Sequence, residues 1–411
     1  MTAPPSSAST LQRRSDVASL PEQRERDHAQ GQQPWIGSAW VDGAFILAPP
    51  LLAAGVVMVW RAIYGGAADP LPVWAWVVLV MAIDVGHVYS TLFRTYFDRD
   101  EMARHATLYT VIPAAGWLCG MLLYKYDAML FWRSLAYLAA FHFVRQQYGF
   151  LKIYSRREKD HPVAWVRLDA VIIYLATLYP LIFWHANLPR RFEWFMPGDF
   201  LTLPEALGWG LERVVWALYV GAAVLYIAKE AWLWQTRRYF NVPKNVLVVG
   251  TAVAWYMGIV WLNGDIAFTV TNVVSHGVPY MALVYLYANK KRLAAESAAA
   301  GRGVVPFAAS AESVFSVRTL LRWVPLFIIF LVLLGYLEEG LWDGFVWRQH
   351  ASVFGFFQSL PHVGDHSTLA WLIPLLALPQ ITHYLLDGFI WRMHGDAQKE
   401  TAWMKHTLRE R

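Results

Sequence analysis

Four histidines of this chain lie inside apolar stretches, and two of them have a carboxylate at helical spacing. The strings are Asp84-Val-Gly-His87, His142-Phe-Val-Arg145-Gln146-Gln147-Tyr148, Asn272-Val-Val-Ser275-His276-Gly277 and Gln380-Ile-Thr-His383, with Asp387 one turn further on. Residues three or four apart share a helix face. Asp84 therefore projects with His87, His142 with Gln146, and His383 with Asp387. Ionisable side chains are costly in a bilayer and mark function when they persist there. Histidine with carboxylate is the ligand set of non-haem iron, manganese or zinc, and helical bundles build such sites from facing helices. The predicted metal ligands are Asp84, His87, His142, His276, His383 and Asp387, with His105 approaching from the inner rim. That set is enough for a mononuclear or a dinuclear centre. The excess of histidine over acid favours iron. Arg145, Gln146 and Tyr148, with Tyr89, are expected to serve the reaction or hold the substrate.

The elements that must carry these residues are transmembrane helices. A span needs about 20 mostly apolar residues. Ten candidates run over 44–64, 72–93, 106–124, 128–150, 166–186, 211–233, 245–263, 265–288, 321–342 and 368–391. Asn263-Gly264-Asp265 is a turn signal between the seventh and eighth. The fold class is thus an all-α integral membrane bundle of about ten helices. Residues 1–34 read as a disordered cytoplasmic tail, 35–397 as the transmembrane domain and 398–411 as a second cytoplasmic tail. The chain is 57% hydrophobic and 16% charged, against about 25% charged in soluble domains. Its 22 Trp, 20 Tyr and 22 Phe suit interfacial belts.

Orientation follows from the basic residues. With the N-terminus inside, 26 of the 35 Lys and Arg fall in inner segments and seven in outer ones. Arg145 and Lys229 are the two within spans. Both termini are then cytoplasmic, in a cell or inner membrane. The net charge of +5 reflects this alternation and implies no nucleic-acid partner. At 1.5 Å per residue, His87, His142, His383 and His276 lie about 9, 12, 12 and 18 Å from the inner boundary. Their shared half of the membrane is what separates a joint site from four independent core histidines.

Blander roles compete at each position. A single buried histidine or Gln146 can simply bond across helices, as can Asn272 and Ser275. Asp387 is placed to pair with Arg392. Pro361-His362-Val-Gly-Asp365-His366, with His350 nearby, offers a second ligand cluster in the last outer loop, but Asp365 equally reads as a helix N-cap. Glu338 and Glu339 are expected to face water. Lys229 and Glu230 are expected to snorkel, and Asp169 to behave similarly. Cys119, the single cysteine, is expected to be buried. The stretch 187–210 is expected to lie along the outer interface.

These residues predict a metal-dependent oxidoreductase, iron being the expected metal, acting on a lipid-like or other hydrophobic substrate near the cytoplasmic leaflet. No redox domain is fused to the chain, so an external electron donor is expected. The histidine boxes of membrane desaturases are absent, as are P-loop and Rossmann fingerprints. Two alternatives use the same residues. One is a proton-coupled transporter with a His/Asp relay, although no internal repeat is visible. The other is a haem b protein with two of the histidines as axial ligands.

Overall fold

The computed structural model describes residues 33–65, 71–158, 160–300 and 316–391. Among these residues the chain is helical without strands. Seven helices are long and apolar enough to cross a membrane: α1 (Ala39–Tyr64), α2 (Val73–Phe93), α3 (Arg99–Tyr126), α5 (Val163–Ala186), α6 (Glu205–Arg237), α7 (Val242–Trp261) and α9 (Val324–Trp347). The pair α10 (His366–Leu376) and α11 (Leu378–Ile390) forms one further stretch, bent by 46°. Pro374 and Pro379 flank that bend, and each lacks the N–H that would continue the ladder. The two other long helices, α4 (Ala128–Tyr154) and α8 (Asp265–Ala300), are more polar. They carry His142, Gln146, Gln147, Asn272, Ser275 and His276, and all six are buried.

Local chemistry sets the helix ends. Asp98 and Asp127 cap α3 and α4 by accepting backbone N–H groups of the first turn. Gly65 closes α1 at φ 76°, in the left-handed region that glycine tolerates. Asn263-Gly264 separates α7 from α8, as the turn signal implies. In the first turn of α1, Asp42 accepts Ile36 N–H at 2.6 Å, Gly37 N–H at 2.8 Å and the Tyr154 hydroxyl at 3.1 Å. Gln33 bonds Phe240 and Val242, and Arg156 donates to the carbonyls of Pro34 and Trp35. Gln33 and Pro34, assigned by sequence to the first tail, are thus packed. The remainder of that tail and residues 398–411 lie outside the described residues.

The exterior is apolar. Along α6, Leu207, Trp209, Val214, Leu218, Val224, Leu225 and Ile227 are all exposed. A water-soluble surface does not carry so continuous an apolar face, whereas a lipid-facing one requires it. Helix α8 runs through the middle and packs on α1, α2 and α7, while α11 packs on α3 and α4. Close approach of α2 to its neighbours rests on two glycines. A Cβ at Gly277 of α8 would stand 2.8 Å from Ile83 Cγ2, and one at Gly335 of α9 would stand 2.7 Å from the Met81 carbonyl oxygen.

Several expectations need correction. Lys229, Glu230 and Asp169 do not reach for water; they are buried with Lys244 and Glu158 where α5, α6 and α7 meet. A carboxylate–ammonium network satisfies them in place of solvent. Glu338 is likewise buried. Cys119 is exposed on the outer face of α3. The stretch after α5 folds inward: Phe192 and Phe200 are buried against Trp184, and Asp199 accepts the N–H groups of Trp194, Phe195 and Met196. Burial raises the Asp199 carboxyl above its usual range, partly offset by those bonds. In the last loop Asp365 caps α10 through Thr368 N–H at 2.8 Å. His350 stacks on Trp76 and His366 on Tyr124, so these residues are used in local packing.

Candidate metal centre

His87 of α2, His142 of α4, His276 of α8 and His383 of α11 converge in the interior, and all four are buried. One ligand nitrogen from each lies within 4.8 Å of all the others. The Nε2 atoms of His87 and His276 are 3.1 Å apart, those of His276 and His142 3.1 Å, and those of His142 and His383 3.0 Å. The rings form a cycle in which each stands steeply to the next, at 86°, 81°, 70° and 78°. Four helices thus aim one nitrogen each at a common point.

The hydrogen bonds on the far sides of the rings fix what those nitrogens carry. A neutral imidazole has one N–H and one lone pair, and the partner of one nitrogen decides the state of the other. His87 Nδ1 faces the Ile83 carbonyl oxygen at 3.3 Å. A carbonyl only accepts, so Nδ1 carries the proton and Nε2 is bare. His142 Nδ1 faces the Asp387 carboxylate at 3.2 Å, with the same consequence. His383 is fixed through a relay. The Tyr280 hydroxyl donates its only proton to Asp387 at 2.8 Å. Thr91 must then donate to Tyr280, 3.1 Å away, and accept from His383 Nδ1 at 2.6 Å.

Three lone pairs therefore point inward. The contact between His142 and His383, at 3.0 Å, sets one bare nitrogen against another. No proton on His276 relieves that pair. A cation at the centre would, converting the repulsion into coordination. Two nitrogens each about 2.1 Å from one metal stand about 3.0 Å apart at a right angle and about 3.4 Å apart at the tetrahedral angle. The three neighbouring contacts are short enough for nitrogens that share one ion, and the whole set spans no more than 4.8 Å.

The structure sorts the predicted residues into three groups. The four membrane histidines come together. Asp84 and Asp387 stand on the Nδ1 sides of His87 and His142, at 3.7 and 3.2 Å. They orient ligands and supply no ligand atom to the centre, because the inward nitrogens are on the opposite edge of each ring. Asp387 also accepts Trp391 Nε1–H at 2.6 Å; Arg392 lies outside the described residues. His105 is apart from the centre: it is exposed, at a non-helical position within α3 (φ −129°, ψ 25°), with its ring 6.2 Å from that of Tyr109. Gln146 donates to the His276 carbonyl at 3.0 Å and braces α4 against α8. Arg145 and Tyr148 face elsewhere. Arg145 is exposed, bonds the Tyr174 hydroxyl at 2.5 Å and covers the Tyr148 ring. Asn272 and Ser275 bond carbonyls of their own helix.

Sequence reading missed Thr91, Tyr280 and Phe143. Phe143 stacks flat on His276 with ring centres 3.5 Å apart. Thr91 and Tyr280 are each four residues beyond a ligand histidine, which is the one signal that could have found them. It also missed a neighbouring cluster of acids. Glu338 accepts a hydrogen bond from Gln380 and is further bonded by Tyr89 and Trp342. Asp84 and Glu339 lie within repulsive reach of Glu338. Asp84 joins this acid cluster to the histidines, 3.7 Å from His87 Nδ1, and the Tyr384 ring lies 5.2 Å from that of His142.

No protein-family model, curated protein or solved structure matches this chain. The site geometry must therefore carry the functional argument.

Asp387 faces two of the candidate ligands on their Nδ1 sides, His142 at 3.2 Å and His383 through Tyr280 and Thr91. Asp387→Asn offers one acceptor oxygen to three donors and sets an N–H₂ group against one of them. Metal affinity is expected to fall about 10–100-fold, the range for loss of an outer partner of a ligating histidine. Competition against a chromophoric chelator measures it. Unchanged affinity would show that Asp387 does not tune the centre.

Proposed function

We propose that this chain is a membrane-embedded, metal-dependent oxidoreductase acting on a hydrophobic substrate. One observation carries the reading: four buried histidines from four helices converge, three of them held with bare nitrogens inward. Four neutral histidines would leave a six-coordinate metal two positions for reactants. All-nitrogen, charge-neutral ligation in a dry interior suits iron, and we take iron in a mononuclear centre as the resident metal. Such a centre supplies one-electron redox chemistry and activation of a bound reactant. The apolar exterior makes the lipid phase the source of substrate, of the acyl or isoprenoid class.

In this reading α4 and α8 cross the membrane with the other helices, giving ten spans. The distribution of Lys and Arg puts both termini on the cytoplasmic side of a cell membrane, and the centre in its inner half. The haem alternative fits less well, because two axial histidines need an open plane between them and the other two occupy it. The acid cluster of Asp84, Glu338 and Glu339 is the observation that favours a proton-coupled carrier as the second reading.

The test is metal analysis with optical and electron paramagnetic resonance spectra on detergent-purified protein made without chelator. About one iron per chain is expected, with oxidation of a lipid extract dependent on it. Protein that binds only zinc, or that stays metal-free after incubation with iron, manganese and copper salts, would remove the redox reading.

A further inference from the structure

The hydrogen bonds around the centre have a common end. His142 Nδ1 contacts the Asp387 carboxylate at 3.2 Å, and His383 reaches it through Thr91 and Tyr280. His87 ends on a backbone carbonyl, and His276 Nδ1 has no partner among the described residues. From Asp387 one bond leads outward, to Trp391 Nε1–H at 2.6 Å. Trp391 closes α11 and is partly exposed. One hydrogen bond, from Trp391 to Asp387, and one 3.2 Å contact, from Asp387 to His142 Nδ1, therefore connect a histidine of the buried cluster to a partly exposed aromatic ring at the end of α11.

We propose that Trp391 and Asp387 form the path by which an external one-electron donor reduces the metal. This inference rests on the redox reading above and names the residues that serve it. In the step, the donor loses one electron and the oxidised metal gains it. No covalent bond forms or breaks. The Trp391 and His142 protons stay on their nitrogens, the first hydrogen-bonded to Asp387 and the second facing it. The indole supplies a delocalised π system, and the two short polar contacts replace through-space gaps. The Arg94 guanidinium, 5.6 Å from the Trp391 ring centre, disfavours a positive charge resting on the indole. The electron thus passes through without a long-lived tryptophan radical.

An aromatic column on another side of the centre provides the comparison. Trp194 is also partly exposed, and its ring is 5.0 Å from Phe143, which stacks on His276. That column has ring contact alone and reaches no ligand nitrogen by a hydrogen bond.

The experiment uses full-length, metal-loaded protein in detergent, oxidised and mixed with hexaammineruthenium(II) in a stopped-flow instrument. Metal content is measured on every sample. Trp391→Phe keeps a ring but removes the N–H, and is expected to retain the metal and lower the reduction rate at least tenfold. Trp194→Phe is expected to match wild type. Metal-loaded Trp391→Phe reduced within twofold of the wild-type rate would overturn the path while leaving the metal centre intact. A wild-type protein holding no reducible metal would overturn both.

Discussion

The double variant His142→Ala/His276→Ala is expected to reach the membrane with wild-type helix content and to hold less than about a tenth of the wild-type metal. His142 and His276 occupy the middle of the chain of contacts that runs from His87 to His383. Removing both leaves His87 and His383 alone, and two neutral imidazoles hold a divalent ion poorly. Without metal, the wild-type interior sets bare nitrogens against each other, so truncation also relieves repulsion. Stability should therefore respond to metal in opposite ways. A ligand present at 1,000 times its dissociation constant stabilises the folded state by about 4 kcal/mol. Thermal melts in detergent with and without iron should show a clear upward shift for wild type and none for the variant. Full metal retention by the variant, or equal shifts for both, would mean that the metal binds elsewhere.

The second large effect is expected far from the centre, at Lys244. Its side chain is fully buried, with 0% exposure. Its ammonium lies 3.0 Å from Glu158, 2.8 Å from Glu230 and 3.6 Å from Asp169. Lys229 is the second cation there, against Asp169 and Glu230. Three acids and two ammonium groups are thus closed off together at the junction of α5, α6 and α7, with Asn241 and Asn245 bonded to Glu158 and Glu230. Lys244→Met keeps most of the volume and removes the charge. One cation then faces three buried carboxylates, and breaking a buried pair in this way costs about 3–5 kcal/mol. Denaturant unfolding in mixed micelles is the measurement. Adding Glu158→Gln should restore part of the loss, because it removes a charge left unpaired. A Lys244→Met protein as stable as wild type would show that water reaches these groups.

The membrane character and the metal centre were legible in sequence for different reasons. Apolar length is a local property, so helices such as α1 and α9 are visible by inspection. The histidine cluster was visible because His87, His142, His276 and His383 occur singly in separate apolar stretches, which the structure brings together as four helices. Roles within the centre were harder to read. Spacing puts Asp84 with His87 and Asp387 with His383 on shared faces, but it does not say which ring nitrogen a carboxylate meets. Both acids proved to stand on the outer side, and Asp387 serves His142 of a different helix. Helix α2 adds a geometric reason, since Val77–Val85 is wound as a π-helix. That winding shifts the faces assigned by a 3.6-residue period, and such stretches occur at functional sites. His105 shares the depth of the inner rim, yet the break in α3 at that residue leaves it exposed. Arg145 and Tyr148 were credited by proximity in sequence to His142, and the turn of α4 carries them to another face. Glu338 and the Lys244 network were misread because single-span reasoning assigns polar residues near a helix end to water. Only tertiary packing shows that neighbouring helices supply their partners.

Three of the four rings have a partner at Nδ1, whereas His276 Nδ1 has none among the described residues and its ring is steadied mainly by the face of Phe143. The centre is thus a rigid three-sided cradle with one hinged side. A metal ion arriving or leaving would meet least resistance at His276, so this ring sets how fast the ion exchanges, while the other three set how tightly it is held. The rate of loading and the strength of binding are, by this arrangement, assigned to different helices.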